Sequence, residues 1–132
     1  MPLCFIVDDH GDTRDGFAEY LRDWGFDVRT AGDAVELRSL LTTATPAAIL
    51  MDVHMPQVDG WTLTREIKAN PRTRSVRVLV VSASVRNEDR VAAEESGADS
   101  FIGKPCDPQL IVSELTRLLS YNTPDQVKTS IL

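Results

Sequence analysis

Apolar residues along this chain follow two spacings, and the two alternate. Leu3 to Val7 is an unbroken apolar run that stops at Asp8 and Asp9. A run of that length without polar alternation suits a strand covered on both faces. From Thr13 to Trp24, the residues Phe17, Leu21 and Trp24 fall at i, i+4 and i+7 on one helical face, and Gly25 follows where a helix-ending glycine is favoured. Phe26 to Thr30 reads as a short second strand. Asp33, with Glu36 three residues on, has the form of a capping box and opens a second helix with Leu37, Leu40 and Leu41 inward.

After Pro46 the alternation continues. The run Ala47 to Met51 ends in Asp52, and Trp61 to Ala69 is helical, with Leu63 and Ile67 paired and Asn70-Pro71 as the stop. Val76 to Val81 is the strand richest in β-branched residues. Asn87 is placed to cap a helix that reaches about Ser96, with Gly97 beyond it. Ser100 to Ile102 forms a fifth strand leading to Lys104-Pro105. Asp107-Pro108 then sets a capping acid before a proline at the first helical position, and Ile111, Leu115, Leu118 and Leu119 line the last helix. Five strand-helix units in strict alternation predict an α/β fold, a doubly wound parallel sheet with helices on both faces.

In such sheets the ligand crevice lies beyond the carboxyl ends of the strands. At those ends the sequence sets Asp8 and Asp9, Asp52, Ser82, and, just past the fifth strand, Lys104. Three carboxylates in one crevice repel each other unless a cation sits among them. Few protein ligands and an open face suit Mg²⁺, with Mn²⁺ a possible substitute, since Mg²⁺ keeps several waters and is commonly held by one or two carboxylates plus phosphate oxygens. A lysine and a hydroxyl at the same point add what is needed to neutralise a transferring phosphoryl group.

Composition narrows the picture further. The chain has 132 residues, 42% of them hydrophobic and 26% charged, enough for one domain over 1–120 followed by a tail or linker stub over 121–132. A net charge of −6 disfavours direct nucleic-acid binding. The apolar runs are strand-length, far short of the roughly 20 residues of a membrane span. The first residues carry neither a basic n-region nor a small-residue cleavage site, so a cytoplasmic location is expected. Cys4 and Cys106 are expected as free thiols, and neither has a second Cys or a His at zinc-ligand spacing.

The acidic pair Asp8-Asp9, the run Asp52-Val53-His54-Met55-Pro56 with Asp59-Gly60, the pair Ser82-Ala83, and Phe101-Ile102-Gly103-Lys104-Pro105 stand in order at the strand ends. In this the chain resembles the receiver domain of two-component response regulators, over about residues 3 to 120. The resemblance implies a flavodoxin-like sheet of order 2-1-3-4-5. It makes Asp52 the phosphoacceptor, attacking the phosphohistidine of a histidine kinase or histidine phosphotransfer protein. Asp9, Asp52 and the main-chain carbonyl of His54 would ligate Mg²⁺, with Asp8 acting through water. Lys104 would pair with a phosphoryl oxygen, Ser82 would donate its hydroxyl to another, and Ala83 would offer its amide. Phe101 would swing from exposed to buried and remodel the face of the fourth helix, fifth strand and fifth helix, the output surface. Lys104-Pro105 would be a cis peptide. Such a domain is a phosphoacceptor rather than an enzyme of turnover, and is a monomer or a phosphorylation-dependent dimer.

Departures from the commonest pattern are Ser82 for the frequent Thr, Phe101 for the frequent Tyr, and His54 and Ser84 at positions that tune phosphoryl lifetime in the family. His10 and His54 read as surface residues of the loops, and neither is assigned a catalytic role. Arg65, Lys68, Arg72, Arg74 and Arg77 read as a solvated face ahead of a docking patch. Trp24 and Trp61 are expected at helix margins. Two other function classes fit parts of the pattern: a phosphate-independent interaction module on the same fold, and a hydrolase with an aspartyl-phosphate intermediate. The second needs a carboxylate two residues after the nucleophile, where this chain has His54.

Overall fold

The computed structural model describes residues 2–83 and 86–120. Five strands, β1 (Leu3–Val7), β2 (Asp27–Ala31), β3 (Ala48–Asp52), β4 (Arg77–Ser82) and β5 (Ser100–Gly103), alternate with α1 (Gly11–Asp23), α2 (Ala34–Thr43), α3 (Gly60–Ala69), α4 (Asn87–Ser96) and α5 (Pro108–Ser120). All strand pairs are parallel, in the order β2-β1-β3-β4-β5. This is the flavodoxin-like arrangement.

Side chains on successive strand residues point to opposite faces, so the apolar strands feed two cores. On one face Cys4, Ile6, Leu50, Leu79 and Val81 pack with Leu21, Ile111 and Leu115 of α1 and α5. On the other, Phe5, Val7, Ile49, Met51, Val78 and Val80 pack with Leu37, Leu41, Leu63 and Ile67 of α2 and α3. That double coverage explains the unbroken apolar runs. Cys4 lies in the first core as a free thiol whose pKa burial pushes up to about 12, and Cys106 is also free. Among the described residues no helix is long and apolar enough to cross a membrane.

The element ends moved by one or two residues. Asp52, Ser82 and Gly103 continue their strands, because the ladder pairs Asp52 with Val81 and Ser82 with Gly103. The α2 cap differs in detail: Asp33 accepts from the Glu36 amide at 2.8 Å, while the Glu36 carboxylate accepts from the amide of Gly32 rather than from that of the cap. Asn87 is the first residue of α4 and not its cap; that place falls to Arg86, whose amide donates to Asp89 Oδ2 at 3.1 Å. Gly25 and Gly97 hold positive φ after α1 and α4 as their positions required. Lys104-Pro105 is cis. The tail 121–132 and Ser84 lie outside the described residues.

The basic cluster is not uniformly a solvated face. Lys68 donates to the Val76 carbonyl and to Asp99 Oδ2, both at 2.7 Å, and Arg77 meets Asp99 Oδ1 at 3.1 Å. Arg72 donates to the Leu41 carbonyl, which ties the end of α3 to α2. Arg65 and Arg74 are exposed.

Candidate functional site

The register of the three central strands makes the site. Val7 pairs with Met51, and Asp52 with Val81, so Asp8 and Asp52 leave the sheet side by side at its carboxyl edge. Both are buried, at 3% and 5% exposure. Asp8 is held on every side. Its amide donates to the Ala31 carbonyl at 3.1 Å, its Oδ1 accepts from the His10 amide at 2.9 Å, and its carbonyl accepts from the Arg14 guanidinium at 3.2 Å.

Lys104 arrives from the loop after β5. Its amide donates to the Ser82 carbonyl at 2.7 Å, and its ammonium stands 2.9 Å from Asp8 Oδ2 and 3.4 Å from Asp52 Oδ1. Ligand-type atoms of Asp8, Asp9, His10 and Asp52 all lie within 4.8 Å of one another. An open cleft of about 210 Å³ over Asp52 is lined by His10, Thr13, His54, Ala83 and Lys104. Ser82 is fully buried at the end of β4, and Ala83 is exposed beside it. The structure therefore gathers Asp8, Asp9, Asp52 and Lys104 tightly, with Ala83 and His54 on the cleft wall.

The charges do not balance. Burial first, and then the neighbouring Asp8 charge, push the Asp52 carboxyl above its ordinary range, against the pull of Lys104. Burial alone would lower the Lys104 ammonium, but its hydrogen bond to Asp8 and the charges of Asp52 and Asp8 outweigh that and leave it raised. One ammonium among three carboxylates leaves excess negative charge, two of the acids being out of water where isolated charge is costly. The side-chain donors of the acids are all hard oxygens gathered beside the cleft that Asp52 lines, a set that fits a small divalent cation.

The backbone around Asp52 is crowded. A Cβ on Gly60 would stand 2.4 Å from the Asp52 carbonyl oxygen, and the Gly60 amide donates to the Val53 carbonyl at 2.9 Å. Asp59 caps α3 by accepting from the Thr62 amide at 2.8 Å. The pair Asp59-Gly60, read from sequence as turn chemistry, thus lets α3 begin against the strand end that carries Asp52.

Phe101 is half-buried on β5. Its ring stacks on Trp61 with centroids 6.1 Å apart and planes 19° apart, and the Arg90 guanidinium of α4 lies 5.9 Å from its centroid. Trp61 is therefore a neighbour of the expected switch residue and more than a helix-margin side chain, whereas Trp24 is 58% exposed against Tyr20. His10, read from sequence as a surface residue of the loop, is exposed, with its Nδ1 3.2 Å from Asp9 Oδ1. It follows the acid pair directly, at the N-cap of α1.

Comparison with known proteins agrees with this geometry. Residues 4–116 match the response regulator receiver domain family. A 14.6 kDa protein encoded in the sodA1 3′ region of Leptolyngbya boryana is 38% identical over 114 residues, covering 86% of this chain and 84% of its own length. The DNA-binding dual master transcriptional regulator RpaA of Synechocystis is 30% identical over 119 residues, covering 90% of this chain and 49% of its own length. The chain spans about half the length of several such curated relatives. Among solved structures, the signal receiver domain of a signal transduction histidine kinase from Syntrophus aciditrophicus superposes with a TM-score of 0.87 at 30% identity, covering 94% of each chain.

Proposed function

We propose that this chain, which belongs to the response regulator receiver family and so to two-component signalling, takes its phosphoryl group on Asp52. Receivers are phosphoacceptor domains, not enzymes of turnover, and the donor here is the phosphohistidine of a histidine kinase or histidine phosphotransfer protein. A carboxylate oxygen of Asp52 attacks phosphorus, the P–N bond to the donor imidazole breaks, and an acyl phosphate forms. The observation that carries this reading is the excess of carboxylate over cation around a buried Asp52 that opens on a cleft.

Asp9, Asp52 and the His54 carbonyl would hold Mg²⁺, with Asp8 acting through water; once bound, the ion supplies positive charge to the equatorial oxygens of the transferring group. Lys104 is placed to pair with one phosphoryl oxygen as a point charge. The Ser82 hydroxyl and the Ala83 amide donate to others, drawing the loop after β4 inward. Phe101 then leaves its stack on Trp61 and Arg90, which alters the face of α4, β5 and α5 offered to an output partner. This switch rests on stacking in place of the hydrogen bond that a tyrosine hydroxyl would make.

Labelled phosphotransfer tests the assignment. With Mg²⁺ and a phosphorylated donor, the wild type is expected to acquire acid-stable, base-labile label and Asp52→Asn none above background. Undiminished labelling of the variant would overturn the role of Asp52.

A further inference from the structure

Both histidines stand at the rim of the cleft over Asp52, yet among the described residues only His10 joins the group of ligand-type atoms with Asp8, Asp9 and Asp52. Its Nδ1 lies 3.2 Å from Asp9 Oδ1 and 3.7 Å from Asp8 Oδ1. Two ligands at right angles about an ion, with bonds of about 2.1 Å, stand about 3.0 Å apart, and opposite ones about 4.2 Å. The imidazole nitrogen is therefore spaced from the Asp9 carboxylate about as a neighbouring corner of one coordination shell would be. The backbone that carries the ring is also held there. His10 occupies the N-cap of α1, and its amide is fixed by Asp8 Oδ1 at 2.9 Å, while the ring stays open to solvent with 75% of the side chain exposed.

Carboxylates and water favour magnesium, calcium and manganese, whereas imidazole suits nickel, cobalt and zinc. We propose that His10 Nδ1 is a further side-chain ligand of the cation site, beside Asp9 and Asp52, and shifts its preference from Mg²⁺ toward first-row transition metals such as Ni²⁺ and Co²⁺. This rests on the reading of the acidic cluster as a cation site. The contrary role for the ring is that of a counter-charge: an imidazolium paired with the acids repels every divalent ion alike, and its removal tightens them all.

The test is calorimetric titration of the untagged chain with MgCl₂ and with NiCl₂, for the wild type and His10→Ala. The absorption spectrum of bound Co²⁺ serves as a second readout. His10→Ala is expected to weaken Ni²⁺ by at least about tenfold, the scale of losing even an outer-shell support, while moving Mg²⁺ far less, and to change the Co²⁺ spectrum. An unchanged ratio in His10→Ala, or equal tightening of both ions, would overturn the role of His10 while leaving the cation site standing. A wild type that binds neither ion would instead remove the site itself.

Discussion

Asp99 and Asp52 are carboxylates at opposite ends of the same parallel sheet, and the chain treats them differently. At the amino end Asp99 accepts from Lys68 at 2.7 Å, from Arg77 at 3.1 Å and from the Val78 amide at 2.8 Å, so one acid faces two cations. At the carboxyl end Asp52 shares a single ammonium with Asp8, and Asp9 stands in the same group of acids. In the first set the acid is fully hydrogen-bonded, and it fastens α3, β4 and the turn before β5. The second is left short of positive charge and open to a cleft. A polar cluster that satisfies itself is a fastening; one that does not is poised for ligands that bring the missing charge.

That contrast gives graded expectations. The largest loss of stability should come at the amino end, where removing one partner of a mostly buried set strands the others. Asp99→Ala should cost about 3 kcal/mol, measured by urea unfolding, with no change in the response to Mg²⁺. An intermediate loss belongs to Gly60→Ala, whose Cβ is forced onto the Asp52 carbonyl. Overpacking of this kind costs about 1–3 kcal/mol, and here it should also slow phosphorylation because it displaces Asp52. A stability loss with unaltered phosphorylation rate would separate the start of α3 from the site.

Asp52→Asn should act in the opposite direction. Because burial and Asp8 raise the Asp52 carboxyl in the folded chain, the folded state holds its proton more tightly than the unfolded state does. The stability tied to that proton is fully present below the ordinary carboxylate value and is lost as pH rises through the folded one. The wild type thus bears the cost of the buried charge at neutral pH and the variant does not. In metal-free buffer Asp52→Asn should be the more stable protein at pH 7, and its advantage should fade as pH drops toward 4, as followed by unfolding midpoints across pH.

Much of this was readable from the residues. Ten elements followed from two periodicities, since strands covered on both faces must be apolar throughout and the helices between them must be apolar on one side. Their ends were misplaced where Asp52, Ser82 and Gly103 carry the ladder past the last apolar residue. Parallel strands ending in step made the meeting of Asp8, Asp9, Asp52 and Lys104 legible, although Lys104 and Asp8 lie 96 positions apart. What stayed hidden depended on three-dimensional neighbours with no local signature. Lys68 and Arg77 read as part of a solvated basic face, Gly60 as a turn residue, and Trp61 as a helix margin. Only the packed chain sets them against Asp99, Asp52 and Phe101.

The central claim is that the carboxyl-end acids lack a divalent cation's worth of positive charge, and stability as a function of Mg²⁺ measures it most directly. At tenfold over its dissociation constant a ligand of the native state adds about 1.4 kcal/mol. Urea unfolding of the wild type and of Asp99→Asn should therefore shift by about that amount when Mg²⁺ is added, and Asp9→Asn and Asp52→Asn should shift far less. An equal shift in all four proteins, or none in the wild type, would contradict the account.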